Sequence, residues 1–348
     1  MSIFELGKLA MRAVLMEKGA LWVENIPDPV PQAGEVLVKT AACGICGSDL
    51  HAARHTDDFV RTSREAGGAF LLTSFDPVVL GHEFCAEIVD FGPKTKRSLS
   101  VGGLVCSIPV LLRDRNLSVG YSPEIPGGFG EYMVLSERML IPVPSGTPAN
   151  VAALTEPMAV GLHAVNKAGL NGTEAIIVLG AGPVGLAVIT ALQHHSGPVI
   201  AADFSTGRRQ FATNQGADVV VDPRQQSPFL KSEVKDRDLI VFECVGVPGV
   251  MDDIFMQSPP NTHVMVVGVC LQTDHIRPLI AINKELSLQF VLGYSVAEFQ
   301  QSLQFIAEGK FDVAGLVSHE IGLDEVADTF VALRDPETYA KVVINPSL

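Results

Sequence analysis

From about residue 150 onward, short apolar runs alternate with longer stretches along the chain. Ala175–Leu179, Val199–Ala202, Val219–Val221, Leu239–Phe242, Val264–Val269 and Leu286–Leu292 have the length of strands, and Pro183–Gln193 and Ser205–Asn214 that of helices. Such alternation predicts an α/β domain with a doubly wound parallel sheet. Before residue 150 the texture differs. Runs such as Ala13-Val14-Leu15, Glu35-Val36-Leu37-Val38 and Ala86-Glu87-Ile88-Val89 are divided by Pro and Gly at short intervals. That pattern predicts a β-rich domain with few helices. The tail reads as a helix (Ala297–Ala307), a loop, a second helix (Leu323–Leu333) and a closing strand at Lys341–Ile344, returning to the first domain. Two loops stand out, the polar Pro223–Asp238 and the long Ala52–Leu80.

Composition narrows the class. A chain of 348 residues with 47% hydrophobic and 18% charged residues has room for two cores and lacks the signature of disorder. The net charge of −14 repels phosphate backbones and anionic lipid surfaces, so nucleic acid and membrane are excluded as expected partners. Six cysteines, at 43, 46, 85, 106, 244 and 270, are spread too widely for a disulfide framework. Reduced thiols or metal ligands, in the cytoplasm, are expected instead. Glu5 interrupts what would be the apolar core of an export leader at Met1–Leu6. Ala175–Leu192 is apolar over nearly the length of a membrane span, but Gly180, Gly182, Pro183 and Gly185 divide it into a strand and a helix.

That division is itself the first chemical motif. Val178-Leu179-Gly180-Ala181-Gly182-Pro183-Val184-Gly185 is a GxGxxG string leaving a strand and opening a helix. Glycine permits the tight turn and lets backbone N–H groups approach a pyrophosphate at the positive helix end. Asp203 follows Gly182 by 21 residues, after the next strand, where a carboxylate binds a ribose 2′-OH and repels a 2′-phosphate. This favours NAD over NADP. Arg208 and Arg209, just beyond, are cations able to hold a phosphate and so point the other way.

The second constellation lies in the β-rich half. It comprises Gly44-Ile45-Cys46-Gly47-Ser48-Asp49-Leu50-His51, Gly81-His82-Glu83 and Thr155-Glu156-Pro157. Thiolate, imidazole and carboxylate are ligands that zinc takes when it keeps a position open for chemistry. Taken singly, each has a plainer reading, as packed cysteine, satisfied histidine or solvated turn acid.

Together these strings resemble the zinc-dependent medium-chain alcohol dehydrogenase family, in its polyol and secondary-alcohol branch. Gly92, Gly-Gly-Phe-Gly-Glu-Tyr at 127–132, Phe242-Glu243-Cys244-Val245-Gly246 and Lys284-Glu285-Leu286 extend the resemblance over nearly the whole chain. It implies a GroES-like catalytic domain over residues 1–156, completed by 293–348, and a Rossmann domain over 157–292. It also implies one catalytic zinc on Cys46 and His82, with Glu83 a direct or exchangeable ligand and Glu156 a ligand directly or through water. Ser48 would pass the alcohol's proton through the cofactor ribose toward His51, and Asp49 would orient His82. Gly180, Gly182, Pro183, Val184, Gly185, Asp203 and Arg208 would hold NAD. Gly47 stands where relatives often place a cation, which shifts that duty to Lys341.

The implied reaction is hydride transfer between a small secondary alcohol or polyol and NAD, in a homodimer or homotetramer. The stretch Val101–Pro126 carries only Cys106, so no structural zinc is expected. The remaining cysteines read as packing, and His163, His194 and His195 as structural or exposed. Cys46 and His82 are 36 residues apart, and the extra length falls in Ala52–Leu80, which either covers the site or is a surface insertion. Two other readings stay open, a zinc-free quinone or enoyl reductase of the same superfamily and a dinucleotide-binding redox sensor.

Overall fold

The computed structural model describes residues 10–68, 70–333, 335, 337 and 339–348. The leader reading of Met1–Leu6 lies outside them. The chain forms two compact units, Met1–Glu156 with Val317–Arg334 and Lys341–Leu348, and Pro157–Leu316 with Asp335–Ala340.

The first unit is organised on the ten-residue strand Glu35–Gly44, whose alternating burial reflects the period-two apolar pattern of its sequence. One side pairs antiparallel with Glu83–Phe91. The other side is shared, its start pairing with Tyr132–Ser136 and its end with the C-terminal strand Lys341–Ile344. Val317–Ile321 lies parallel beyond that closing strand. Leu104–Ser107 and Leu140–Pro142 continue the sheet past Glu83–Phe91. A second sheet places Ala10–Glu17 between Ala20–Pro27 and Val78–Val79.

This unit holds more helix than its sequence suggests. Strand Glu35–Gly44 runs almost directly into α1, Gly47–Arg54, and the expected loop after it contains a second helix, α2, Thr56–Glu65. Helix α2 buries Thr56, Phe59 and Val60 and presents its other residues outward. Asp57 and Asp58 suit its positive N-terminal end, and Asp58 pairs with Arg61 one turn on. With only two large apolar side chains in ten residues, the helical period is too faint to read from sequence. Two further helices, Ala149–Ala152 and Thr155–Ala168, close the N-terminal half.

The second unit contains a six-stranded parallel sheet. Numbered in chain order, Ala175–Leu179, Val199–Ala202, Val219–Val221, Leu239–Glu243, His263–Val266 and Ser287–Phe290 stand in the spatial order 3-2-1-4-5-6. This is the dinucleotide-binding arrangement, and its crevice lies beyond the carboxyl ends of the first and fourth strands. Ile177, Ile200, Val241, Phe255 and Val264 belong to one buried cluster. Each such side chain contributes roughly 1.5–3 kcal/mol by leaving water.

Residues 293–316, expected with the first domain, pack with the second. Their helix, Val296–Ala307, carries Glu298, whose carboxylate is held by His163 Nδ1 at 2.8 Å and Asn166 Nδ2 at 2.9 Å. Among the described residues no helix is long and apolar enough to cross a membrane.

Candidate functional site

The metal-ligand strings converge because two paired strands and one helix meet. Gly44, at the end of its strand, stands opposite Glu83 at the start of the partner strand. Cys46 then leads into α1, while His82 immediately precedes Glu83. One donor atom from each of Cys46, His82 and Glu83 lies within 4.8 Å of the others, and among the described residues no other group of three such side chains comes this close. A Cβ on Gly44 would overlap the Glu83 carboxylate, so glycine is what lets the two strands meet there.

His82 and Glu83 are buried, and Cys46 is partly so. His82 Nδ1 lies 3.4 Å from Asp49 Oδ1, which leaves Nε2 for a metal. Asp49 is itself fully buried, and its other oxygen accepts the Cys46 backbone N–H at 2.9 Å. One carboxylate thereby ties the start of α1 to the imidazole. His82 Nδ1 and both Glu83 oxygens lack a hydrogen bond of ordinary geometry. A thiol, an imidazole whose Nε2 is left over from the Asp49 contact and a carboxylate whose Oε1 no hydrogen bond uses fit a zinc ion.

The charges agree with this reading. Burial pushes the Cys46 thiol above its ordinary pKa and the Glu83 charge pushes it further, against the pull of His82. Burial pulls His82 down, but Asp49 and Cys46 outweigh it and the imidazole ends well above its usual value. A bound cation has to displace the protons that these groups hold in its absence.

Lys341, expected at the cofactor, is buried in this cluster. Its Nζ donates to the Ile45 carbonyl at 2.9 Å and forms an ion pair with Glu83. Burial would lower its pKa, but the Glu83, Cys46 and Glu156 charges raise it. Glu156 sits in the first turn of Thr155–Ala168, where its charge reaches Lys341, and is not one of the three residues whose donor atoms lie within 4.8 Å of one another.

Ser48 and His51 both lie on α1. His51 is half-buried, with its ring 6.5 Å from that of His55, and burial, His55 and Arg54 together lower its pKa. Ser48 Oγ accepts a hydrogen bond from the Tyr121 phenol at 2.8 Å. No local pattern marks Tyr121 in the sequence. It falls in the stretch 101–126, whose notable feature was its shortage of cysteines.

In the second unit, Gly180 takes φ +89°, the left-handed turn that ends strand Ala175–Leu179. A Cβ on Gly185 would overlap the Gly180 carbonyl oxygen, so helix Pro183–Ala191 packs against the turn only through glycine. Gly182 caps that helix and Pro183 opens it, followed by Val184. A Cβ on Gly182 would meet nothing nearer than the Arg208 guanidinium, at 3.8 Å, so the loop's outer face is open.

Asp203 Oδ2 accepts the Ala181 N–H at 2.9 Å and Oδ1 accepts the Ser205 N–H at 2.8 Å. Arg208 Nη1 lies 3.8 Å from Asp203 Oδ2. Arg209 instead donates to the Asp203 and Phe204 carbonyls and faces Asp222 at 3.6 Å. The Asp203 carboxylate and the Arg208 guanidinium therefore stand together beside the loop.

A metal-ligand cluster in one unit and a glycine loop on a doubly wound sheet in the other define a dehydrogenase. Residues 32–145 match the alcohol dehydrogenase GroES-like domain, and residues 183–308 match the zinc-binding dehydrogenase domain. The chain belongs to the zinc-dependent medium-chain alcohol dehydrogenase family.

(R,R)-Butanediol dehydrogenase of Bacillus subtilis (strain 168) is 29% identical over 340 residues, spanning 93% of this chain and 96% of its own. Sorbitol dehydrogenase of the same organism is 27% identical over 355 residues, spanning 96% and 97%. The crystal structure of 2R,3R-butanediol dehydrogenase from Bacillus subtilis superposes with a TM-score of 0.82 at 28% identity, covering 97% of this chain and 99% of that one. A zinc-binding dehydrogenase from Sinorhizobium meliloti 1021 bound to NADP gives 0.82 at 25% identity, covering 97% and 100%.

Proposed function

We infer that the protein interconverts a small secondary alcohol or polyol and its ketone, with NAD as the hydride partner and one zinc as Lewis acid. The observation that carries this reading is the convergence of Cys46, His82 and Glu83, with Asp49 behind His82. These three would hold the zinc, with Glu156 joining directly or through water. When bound, the metal would acidify the alcohol and the nicotinamide would accept the hydride.

The chain's own residues do the rest. Asp49 fixes the His82 ring and the start of α1 together, so the imidazole meets the metal in one orientation. Lys341 holds Glu83 by charge, which makes that carboxylate exchangeable between cation partners. Ser48 Oγ would accept the alcohol's proton while its own hydroxyl proton passes on, by way of the cofactor ribose, toward His51. His51, whose pKa burial, His55 and Arg54 lower, stands on the same helix to relay protons toward solvent. Gly180, Gly182, Pro183, Val184 and Gly185 would seat the pyrophosphate, and Asp203 the ribose hydroxyls, with Arg208 beside them. Asp203 supports NAD over NADP. The relatives named for butanediol and sorbitol support the substrate class.

We place the protein in the cytoplasm, a reading supported by its six free cysteines. A second copy is the expected partner, because the sheet ends in strand Ser287–Phe290 with Leu279, Ile282, Phe290 and Leu292 exposed around it.

The test is zinc per chain and particle mass for the wild type and Cys46→Ser, with NAD-linked oxidation of secondary alcohols measured alongside. About one zinc per chain, lost with the activity in the variant while NAD binding persists, supports the reading. Full activity in Cys46→Ser refutes it.

A further inference from the structure

Tyr121 belongs to none of the elements that carry the metal cluster, yet its side chain is built into it. The residue is 3% exposed. Its phenol O–H lies 2.8 Å from Ser48 Oγ and 3.3 Å from Asp49 Oδ1. Its ring sits 5.1 Å from the His82 ring.

The other contacts come from the segment inserted between the two metal-ligand strings. Phe59 of α2 stacks on Tyr121 at 5.6 Å and 25°, Phe70 tilts against it at 4.7 Å, and the Leu71 N–H bonds to the Tyr121 carbonyl at 3.1 Å. Each aromatic contact contributes about 0.5–1.5 kcal/mol beyond its buried area. The approach also depends on the backbone. Gly120, just before Tyr121, packs on the backbone of Gly81, just before His82, and both take positive φ. A Cβ on Gly120 would come within 2.8–3.0 Å of three Gly81 backbone atoms. The two segments can touch back to back there only without side chains.

We propose that Tyr121 is a positioning residue for the proton-handling hydroxyl of Ser48, and that Phe59, Phe70 and Leu71 of the insertion clamp it. The inference rests on the dehydrogenase reading above. A phenol carries one proton. Directed at Ser48 Oγ, that proton leaves the Ser48 O–H free to donate outward. Directed at Asp49 Oδ1, which only accepts, it leaves the phenol oxygen to receive the Ser48 O–H and frees a Ser48 lone pair to accept a hydrogen bond from the substrate hydroxyl. Ser48 can thus alternate between donor and acceptor without losing its anchor, and Tyr121 stays protonated throughout. The same O–H braces Asp49, and through it the His82 ring.

The experiment compares zinc-loaded wild type, Tyr121→Phe, Phe70→Leu, Ser48→Ala and the double variant Ser48→Ala/Tyr121→Phe. Tyr121→Phe keeps every ring contact and removes only the O–H. One hydrogen bond at a reacting group is worth about a tenfold effect. The expected result is a roughly tenfold lower kcat in Tyr121→Phe, with KM and melting temperature near wild type. Zinc release to a chelator becomes several-fold faster, since the brace on Asp49 is gone. Phe70→Leu moves both readouts the same way by a smaller factor. In the Ser48→Ala background the added Tyr121→Phe change has little further effect on kcat, because the hydroxyl it positions is already absent.

Wild-type kcat and zinc release in Tyr121→Phe would overturn the proposal, as would a full tenfold loss added on top of Ser48→Ala. Wild-type activity in Ser48→Ala and Cys46→Ser overturns instead the dehydrogenase mechanism on which it rests.

Discussion

Replacing Lys341 by Met removes a buried positive charge and its hydrogen bond to the Ile45 carbonyl, while methionine keeps most of the aliphatic volume. The Lys341 side chain is 4% exposed and the Glu83 side chain 1%, so the Glu83 carboxylate would remain buried with no cation beside it. Breaking a buried ion pair from one side costs about 3–5 kcal/mol. For a unit of this size, 1 kcal/mol moves the midpoint by about 2–4 °C, which gives a fall of roughly 6–20 °C. The assay is differential scanning calorimetry of chelator-treated protein. Adding zinc should restore much of the loss, because the ion replaces the missing charge and binds only the folded site. The variant Lys341→Met/Glu83→Gln should also recover stability without metal, since a neutral pair carries no uncompensated charge. A chelated Lys341→Met protein melting within about 2 °C of wild type would refute the reasoning.

Two further outcomes follow from other parts of the chain. Asp203→Ala removes the carboxylate beside Arg208, so NADH binding should weaken and NADPH binding improve, a relative change of about tenfold or more read by fluorescence titration; an unchanged ratio sinks the assignment of Asp203 to cofactor choice. Burial would raise the Glu298 pKa, but hydrogen bonds from Asn166, Ser295 and His163 outweigh it and hold the pKa at about 2. A depressed carboxylate stabilises the fold above its unfolded pKa and loses that contribution as pH falls toward its folded one. Wild type should therefore lose melting temperature between about pH 5 and 2 more steeply than Glu298→Gln, and identical slopes would remove Glu298 from the acid response.

Much of the fold was legible because each half carries its own period. Continuous apolar strands between helix-length segments fit a sheet buried on both faces, and strands such as Ala175–Leu179 and Val199–Ala202 occupy the residues that their hydrophobicity marks. Helix α2 was not legible. Phe59 packs on Phe70 and Tyr121, outside the helix, and the residues on either side of Phe59-Val60 within it are polar. Residues 293–316 fell to the wrong side of a domain division for a similar reason, since Glu298 is held by His163 and Asn166 more than 130 residues earlier.

At the site, sequence alone determined the chemistry that short spacing imposes. The glycine loop needs neighbours only a few residues away, and Cys46, Ser48 and Asp49 share one turn of chain. Identity of the donor groups also marked His82 and Glu83 as candidates, because few residue types can bind zinc. Only the tertiary structure decided which side chains those groups meet. Lys341 reaches Glu83 across 258 residues, and Tyr121 reaches Ser48 across 73. A contact of that kind depends on strand register, on a closing strand returning to a distant edge and on two glycines packed back to back. These are properties of the folded backbone, and no local periodicity or spacing encodes them.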